Sequence, residues 1–61
     1  MFKEHYVIRA TRRLSPFVEF ETLGTIVLNQ NEDHYEIEFV DEQGQTLSLL
    51  TVNKNDIKLL R

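Results

Sequence analysis

The chain has 61 residues, with ten acidic and seven basic side chains, a formal charge of −3, a pI near 5.2 and no cysteine. A folded chain of this length buries only about 60% of the surface that its unfolded form exposes, so we expect one small domain over residues 1–61. The lack of cysteine excludes disulfides and thiolate metal sites, and the lack of an apolar run of ~20 residues excludes a membrane-spanning helix. We therefore expect a cytoplasmic protein.

The first predicted strand spans residues 5–12, where apolar side chains recur with a period of two. Its inward face is predicted to carry Tyr6, Ile8 and Ala10. Pro16 ends this region because proline has no backbone N–H to donate to a strand ladder. The next segment, SPFVEFETLG over residues 15–24, is bracketed by loop-forming Pro and Gly, yet it has three large apolar residues in four. We predict a long loop between the first two strands.

The second predicted strand, residues 24–30, is rich in β-branched and apolar side chains. It begins at Gly24, where we expect a sharp bend or the close approach of another backbone. Residues 31–34 are polar and predict a turn. The third predicted strand, residues 35–41, alternates apolar and acidic side chains. It is predicted to place Tyr35, Ile37 and Phe39 inward and Glu36 and Glu38 in water.

The rest of the chain predicts a hairpin and a short closing strand. Asp41 can cap backbone N–H groups and Gly44 can adopt a left-handed conformation, which favours a type I turn with a bulge. The fourth predicted strand covers residues 46–52. Asn53 is typical of the cap of a single 3₁₀ turn, and residues 57–60 then form the fifth strand.

These elements predict an all-β fold, a small five-stranded SH3-like barrel with a long loop between strands 1 and 2 and a 3₁₀ turn before strand 5. Closing the sheet is an economical way for so short a chain to protect its strand edges. In this fold strands 2 to 4 form a meander and strand 5 returns beside strand 1. An OB-fold would need a helix between strands 3 and 4, and the chain has no room for one.

Four motifs resemble a family of short bacterial proteins known only as a domain of unknown function. They are EHxVI from residue 4, GTIV from residue 24, YEIEFVDExG from residue 35 and TLxLLT from residue 46. The resemblance implies an SH3-like barrel that occurs as a stand-alone protein, in some members as the antitoxin or immunity half of a pair. It implies no catalytic residues. The segment over residues 17–21 departs from the family pattern, which is polar there.

The sequence gives little support for catalysis, metals or cofactors. Glu36 and Glu38 lie about 7 Å apart along one strand, but we expect them on the outside of the barrel, where no pocket would perturb their chemistry. Asn29, Asn31 and Asp33 alternate as calcium ligands do, but a calcium loop would need Gly in place of His34. We interpret the acidic pair as a solvated face, the polar run as a hairpin turn, and the chain as a non-enzyme without metal or cofactor.

Nucleic-acid or ribosome binding is the alternative function, because SH3-like and KOW-type barrels often bind RNA. Arg9, Arg12 and Arg13 with Tyr6 are predicted to form a basic, partly aromatic patch. The negative charge of the whole chain and the run without bases from residue 19 to residue 42 oppose such binding.

The leading hypothesis is therefore a non-enzymatic protein-binding module. Its acidic character favours a basic protein partner, and in the most specific version the chain is an inhibitor of the antitoxin or immunity type. The predicted binding residues are Phe17, Val18, Glu19, Phe20, Glu21, Glu36 and Glu38. Strand-like alternation predicts that Val18 and Phe20 plug the barrel while Phe17 points outward. A homodimer through Phe17 and Phe20 is a variant of this hypothesis.

Overall fold

The structure, a computed structural model, describes residues 5–60, so Glu4 of the first motif lies outside the described residues. The strands are β1 (Val7–Ala10), β2 (Leu23–Asn29), β3 (His34–Val40), β4 (Thr46–Asn53) and β5 (Ile57–Leu59). A 3₁₀ turn, Lys54–Asp56, separates β4 from β5. The strands form one antiparallel sheet in the order β4-β3-β2-β1-β5. This arrangement confirms the predicted all-β fold, with its meander of β2 to β4 and with β5 beside β1. β4 and β5 are not paired with each other, so the ladder is not closed by hydrogen bonds and both are edge strands.

The core lies on the inner face of the curved sheet, where the predicted alternation holds. Every described residue that is both apolar and fully buried belongs to one cluster, made of Ile8, Ala10, Val18, Ile26, Tyr35, Ile37, Phe39, Val52 and Ile57. Half-buried Tyr6, Leu14 and Leu50 pack against it. The only helical segment in residues 5–60 is the three-residue 3₁₀ turn, which is far too short to cross a membrane.

The first strand is shorter than the prediction of residues 5–12. Thr11 leaves the β1 ladder because its backbone N–H donates to the carbonyl of Asp56 and its hydroxyl donates to the carbonyl of Asn55. Arg12 continues this contact through an ion pair with Asp56. The end of β1 is thus held by the 3₁₀ turn from the far end of the chain.

Side-chain caps close the turns at the predicted places. Asp41 Oδ1 accepts from the backbone N–H groups of Gln43 and Gln45, and Gly44 has a φ of 84°. In the 3₁₀ turn, Asn53 Oδ1 accepts from the N–H of Asn55, while Asp56 accepts from the N–H of Asn53. These bonds satisfy donors that the strand ladders leave free.

Val18 anchors the long loop between β1 and β2. Its side chain is fully buried in the core, and its carbonyl accepts from the N–H of Leu14 at 2.8 Å. Its N–H donates to the carbonyl of Ser15 at 3.1 Å. The loop is therefore attached to the barrel at its middle, through one apolar side chain and a local backbone bridge.

Gly24 lies on β2 opposite Phe39 of β3, with no room for a side chain. A Cβ atom at this position would lie 2.7 Å from Ile37 Cγ2 and 3.1 Å from the Glu38 carbonyl oxygen. The close approach expected from the sequence is confirmed, and its nearest neighbour is a core side chain as well as a backbone.

We expect Gly24→Ala to lower the free energy of unfolding by about 2 kcal/mol, because Ile37 is buried and branched at Cβ and cannot rotate away. Chemical denaturation followed by circular dichroism measures this change. The control is Gly44→Asn, which keeps a residue tolerant of positive φ in open space and should cost only about 0.5 kcal/mol. Equal effects for the two variants would contradict the steric explanation.

We expect Val18→Ala to cost about 2 kcal/mol of stability, because it removes buried methyl groups and leaves a void in the core. Val27→Ala is the matched control, since Val27 is exposed on β2 and its truncation should change stability by less than about 0.5 kcal/mol. Denaturation midpoints of the two variants give the comparison. If Val18→Ala is as mild as its control, the loop is not held by this side chain.

Candidate protein-binding surface

Two phenylalanines on the β1–β2 loop point into solvent. The exposed fractions of Phe17 and Phe20 are 68% and 62%, while Val18 between them is fully buried. The prediction that Phe20 plugs the barrel is therefore wrong, and so is the inclusion of Val18 among residues that a partner can reach. The alternation fails because the chain turns after the Ser15–Val18 bridge instead of continuing as a strand. We call Phe17 and Phe20 the aromatic pair.

Glu21 fixes the end of the loop that carries Phe20. Its φ of 74° is in the left-handed region, which costs a non-glycine residue about 1–2 kcal/mol. Its N–H donates to the carbonyl of Ala10 at 2.9 Å, and its own carbonyl accepts from Arg9 Nη1 at 2.8 Å. Its buried Oε2 lies 3.0 Å from Lys58 Nζ, as an ion pair without a well-aligned hydrogen bond. These contacts hold Glu21 to both β1 and β5.

The predicted loop carboxylates already have intramolecular partners. Glu21 is engaged with Lys58, as above, and Glu19 lies 3.7 Å from the guanidinium of Arg13. Both members of the Glu19–Arg13 pair are largely exposed, and exposed ion pairs are weak, so Glu19 is available to exchange this partner for another cation. Glu21 is better described as a residue that positions the loop.

The outer face of the sheet carries the two glutamates of β3. Glu36 faces Leu28 on one side and Thr51 on the other, and Glu38 faces Thr25 and Leu49. Both side chains are half-buried rather than fully solvated as predicted. Glu38 accepts a hydrogen bond from the Thr46 hydroxyl, whereas the Glu36 carboxylate has no hydrogen bond or ion pair within residues 5–60.

Exposed leucines flank these glutamates, so the outer face is both acidic and apolar. Leu28 on β2 is 44% exposed, and Leu49 on β4 is 55% exposed. Leu47, also exposed, lies further along β4. This face was predicted to be acidic only. The run TLSLLTV contained the missing signal, because it has leucines on both faces of a strand that can bury only one of them.

A shallow cavity of about 250 Å³ lies at the loop end of this face. Its apolar lining comes from Leu23, Val40 and Leu47, and its polar walls include Arg9 and Glu42. Glu21 lines it too. Because Glu21 directly follows Phe20 in the sequence, the cavity lies next to the loop that carries the aromatic pair. Its volume is sufficient for one inserted side chain.

Most described basic side chains are neutralised within the chain. Arg12 pairs with Asp56, Arg13 with Glu19, Lys54 with Asp33 and Lys58 with Glu21. Arg9 donates to a backbone carbonyl. Among the acids of residues 5–60, by contrast, Glu38 and Asp41 accept hydrogen bonds but make no ion pair, and Glu32, Glu36 and Glu42 make neither an ion pair nor a side-chain hydrogen bond. The net charge that the surface presents is therefore negative, and the arginines predicted as a basic patch are engaged locally.

The polar residues considered as metal ligands have structural roles. Asn31 Oδ1 accepts from the N–H groups of Asp33 and His34, which closes the β2–β3 turn. His34 Nδ1 lies 3.2 Å from the same oxygen. No three His, Asp or Glu side chains of residues 5–60 come together in a group that suits a metal ion.

Comparison with known proteins identifies the family but no relative of known function. The chain matches no curated protein and no solved structure with significant similarity. A family model described as a domain of unknown function, DUF4926, matches residues 21–59, from the end of the long loop to β5. The match leaves out the first motif and the aromatic pair. It therefore covers less of the chain than the four motifs, which extend from residue 4 to residue 51. The chain belongs to this family of unknown function, DUF4926.

Proposed function

We propose that the chain is a non-enzymatic binding module that docks on a basic protein through the aromatic pair, with the carboxylates Glu19, Glu36 and Glu38 facing the basic groups of the partner. The observation that carries the proposal is the contrast within the loop. Phe17 and Phe20 are exposed, while Val18 between them is buried. Exposed aromatic side chains on an anchored segment are typical of the residues that anchor a protein–protein interface.

Anchoring matters because it lowers the entropy that binding would otherwise cost. The loop is attached by Val18 at its centre and by the contacts of Glu21 at its end. A partner therefore meets phenylalanines whose backbone is already ordered, and binding orders mainly their side chains. This preorganisation supports a docking role for the aromatic pair. It argues against the alternative, a loosely attached loop whose apolar residues face solvent by chance.

Charge supports a basic partner. The unpaired carboxylates of Glu32, Glu36 and Glu42 lie on β3 or in the turns at its two ends. Exposed leucines adjoin the middle of this strand, so a partner with basic and apolar side chains is complementary to it. In its most specific form the proposal is a cytoplasmic bacterial inhibitor of the antitoxin or immunity type, bound to a basic toxin such as a nuclease.

The first test replaces both anchors. We expect Phe17→Ser with Phe20→Ser to change the free energy of unfolding by less than about 0.5 kcal/mol, because both side chains are exposed. The same change should weaken binding to a purified basic partner, identified by its capture from the native cell, by about 100-fold. Isothermal titration measures the affinity. The control is Leu59→Ser, which replaces an apolar side chain of 44% exposure on β5, outside the proposed contact; equal losses in both variants would contradict the assignment to the loop.

The second test concerns charge. We expect Glu36→Gln with Glu38→Gln to weaken the same complex about ten-fold at low salt and to leave stability unchanged, since Gln still accepts from the Thr46 hydroxyl. The effect should fade as salt rises. Glu32→Gln, in the β2–β3 turn, is the control for removal of one charge away from the face. Retention of the unmodified chain on heparin or RNA that fades with salt would instead favour the nucleic-acid alternative.

A further inference from the structure

The two edges of the sheet differ in how they are protected. β5 has only three residues, and one of them is Lys58. β4 has eight residues, Thr46–Asn53, with neither a charged side chain nor a proline among them. Shortness, lysine and proline are the usual devices that prevent an edge strand from pairing with another chain. β4 has none of these, and the register shift that it does have, at Leu47, lies outside the segment from Leu49 to Thr51.

Hydrogen bonding along β4 identifies the backbone groups that face away from the sheet. The N–H of Lys54 donates to the carbonyl of Asp33. Because hydrogen-bonded pairs alternate along an antiparallel ladder, the N–H and C=O groups of Val52 and Leu50 also point toward β3. The alternate residues, Thr51 and Leu49, then direct their N–H and C=O groups to the open side. Asn53 agrees with this alternation, because its N–H donates to Asp56 Oδ2 and not to β3.

We propose that β4 pairs with β4 of a second copy of this chain, antiparallel, about a two-fold axis at Leu50. In this register Leu49 of one copy lies opposite Thr51 of the other, and each such pair exchanges both of its N–H···O bonds. Every open backbone group of Leu49 and Thr51 is thereby satisfied. The pairing uses one surface on both copies, as a closed dimer requires.

The side chains suit this register. Leu50 lies opposite Leu50 of the second copy at a Cα separation of about 4.5 Å, which is the closer of the two cross-strand spacings. Leu50 already packs on the core, so its contact extends the core of one copy toward the other. On the outer face Leu49, which is 55% exposed, meets Thr51 of the second copy.

Electrostatics allow a second copy despite the negative charge of each chain. Beside the middle of this edge, the charged side chains among residues 5–60 are the glutamates of β3, one strand in, while Lys54 follows the end of β4 and is paired with Asp33. The β3 strands of the two copies are about 14 Å apart, three strand spacings, and this exceeds the screening length of about 8 Å at physiological salt. The dimer should therefore tighten as salt rises, whereas binding to a basic partner should weaken.

Sedimentation equilibrium over a range of protein and salt concentrations tests the proposal. We expect the mass to rise from the 7.3 kDa of one chain toward twice that value with protein concentration, and the dissociation constant to fall with salt. We expect Leu49→Lys to raise the dissociation constant by about ten-fold or more, because it places a lysine on the edge. Leu59→Lys is the matched control, since Leu59 is 44% exposed on the opposite edge strand.

Amide hydrogen exchange reports on the interface without any substitution. The N–H groups of Leu49 and Thr51 should exchange about ten-fold more slowly at high protein concentration than at low concentration. The N–H of Leu59 faces the open side of β5, because Leu60 and not Leu59 donates to β1, and it should exchange rapidly at every concentration. A chain that stays monomeric at millimolar concentration would overturn the proposal. So would a dimer that survives Leu49→Lys but is lost on Phe17→Ser.

Discussion

The limited volume behind one small curved sheet is the constraint on which this structure depends. Tyr35, Ile37 and Phe39 of β3 are among the largest buried side chains in that space, and Ile37 occupies the place that a side chain at Gly24 would need. A core this tightly filled accepts no further large side chain without strain. The remaining apolar residues of the chain must therefore lie outside, and they decide which surfaces are available for contact.

The strand pattern was predictable from the sequence, because the period of two is a property of the backbone. Tyr35, Glu36 and Ile37 alternate in the sequence as they do in space, and the caps at Asp41 and Asn53 act within a few residues of their own positions. Local chemistry decides such features, so a single sequence is enough to identify them. The order of the strands followed from the short connections after β2 and the return of β5.

The loop was not predictable in the same way. Treating residues 17–21 as an alternating strand placed Val18 correctly and Phe20 incorrectly, because the chain turns after the Ser15–Val18 bridge, where the N–H of Thr22 donates to the carbonyl of Glu19. The conformation of Glu21 depends on Arg9, Ala10 and Lys58, which are distant in sequence. The outer leucines were missed for a related reason: a pattern shows that both faces of β4 are apolar, but only the folding of the sheet around its core shows which face stays exposed.

The aromatic pair and the β4 edge lie at opposite ends of the strand order, and this separation has a consequence for binding. The loop with the aromatic pair adjoins β1 and β5 through Glu21, whereas β4 is the other edge. Pairing of two copies along β4 leaves both loops at the outer ends of the joined sheet and free of the dimer contact.

One dimer then offers two equivalent aromatic loops on a rigid frame. For a partner with repeated or two-fold related sites, the second contact forms at high effective concentration, so avidity exceeds the affinity of one loop without any new contact. For a monomeric partner, the dimer of this chain brings no such gain in avidity. Comparing the affinity of the chain for an immobilised and for a free partner therefore connects the two surfaces, because only a dimer gains from immobilisation.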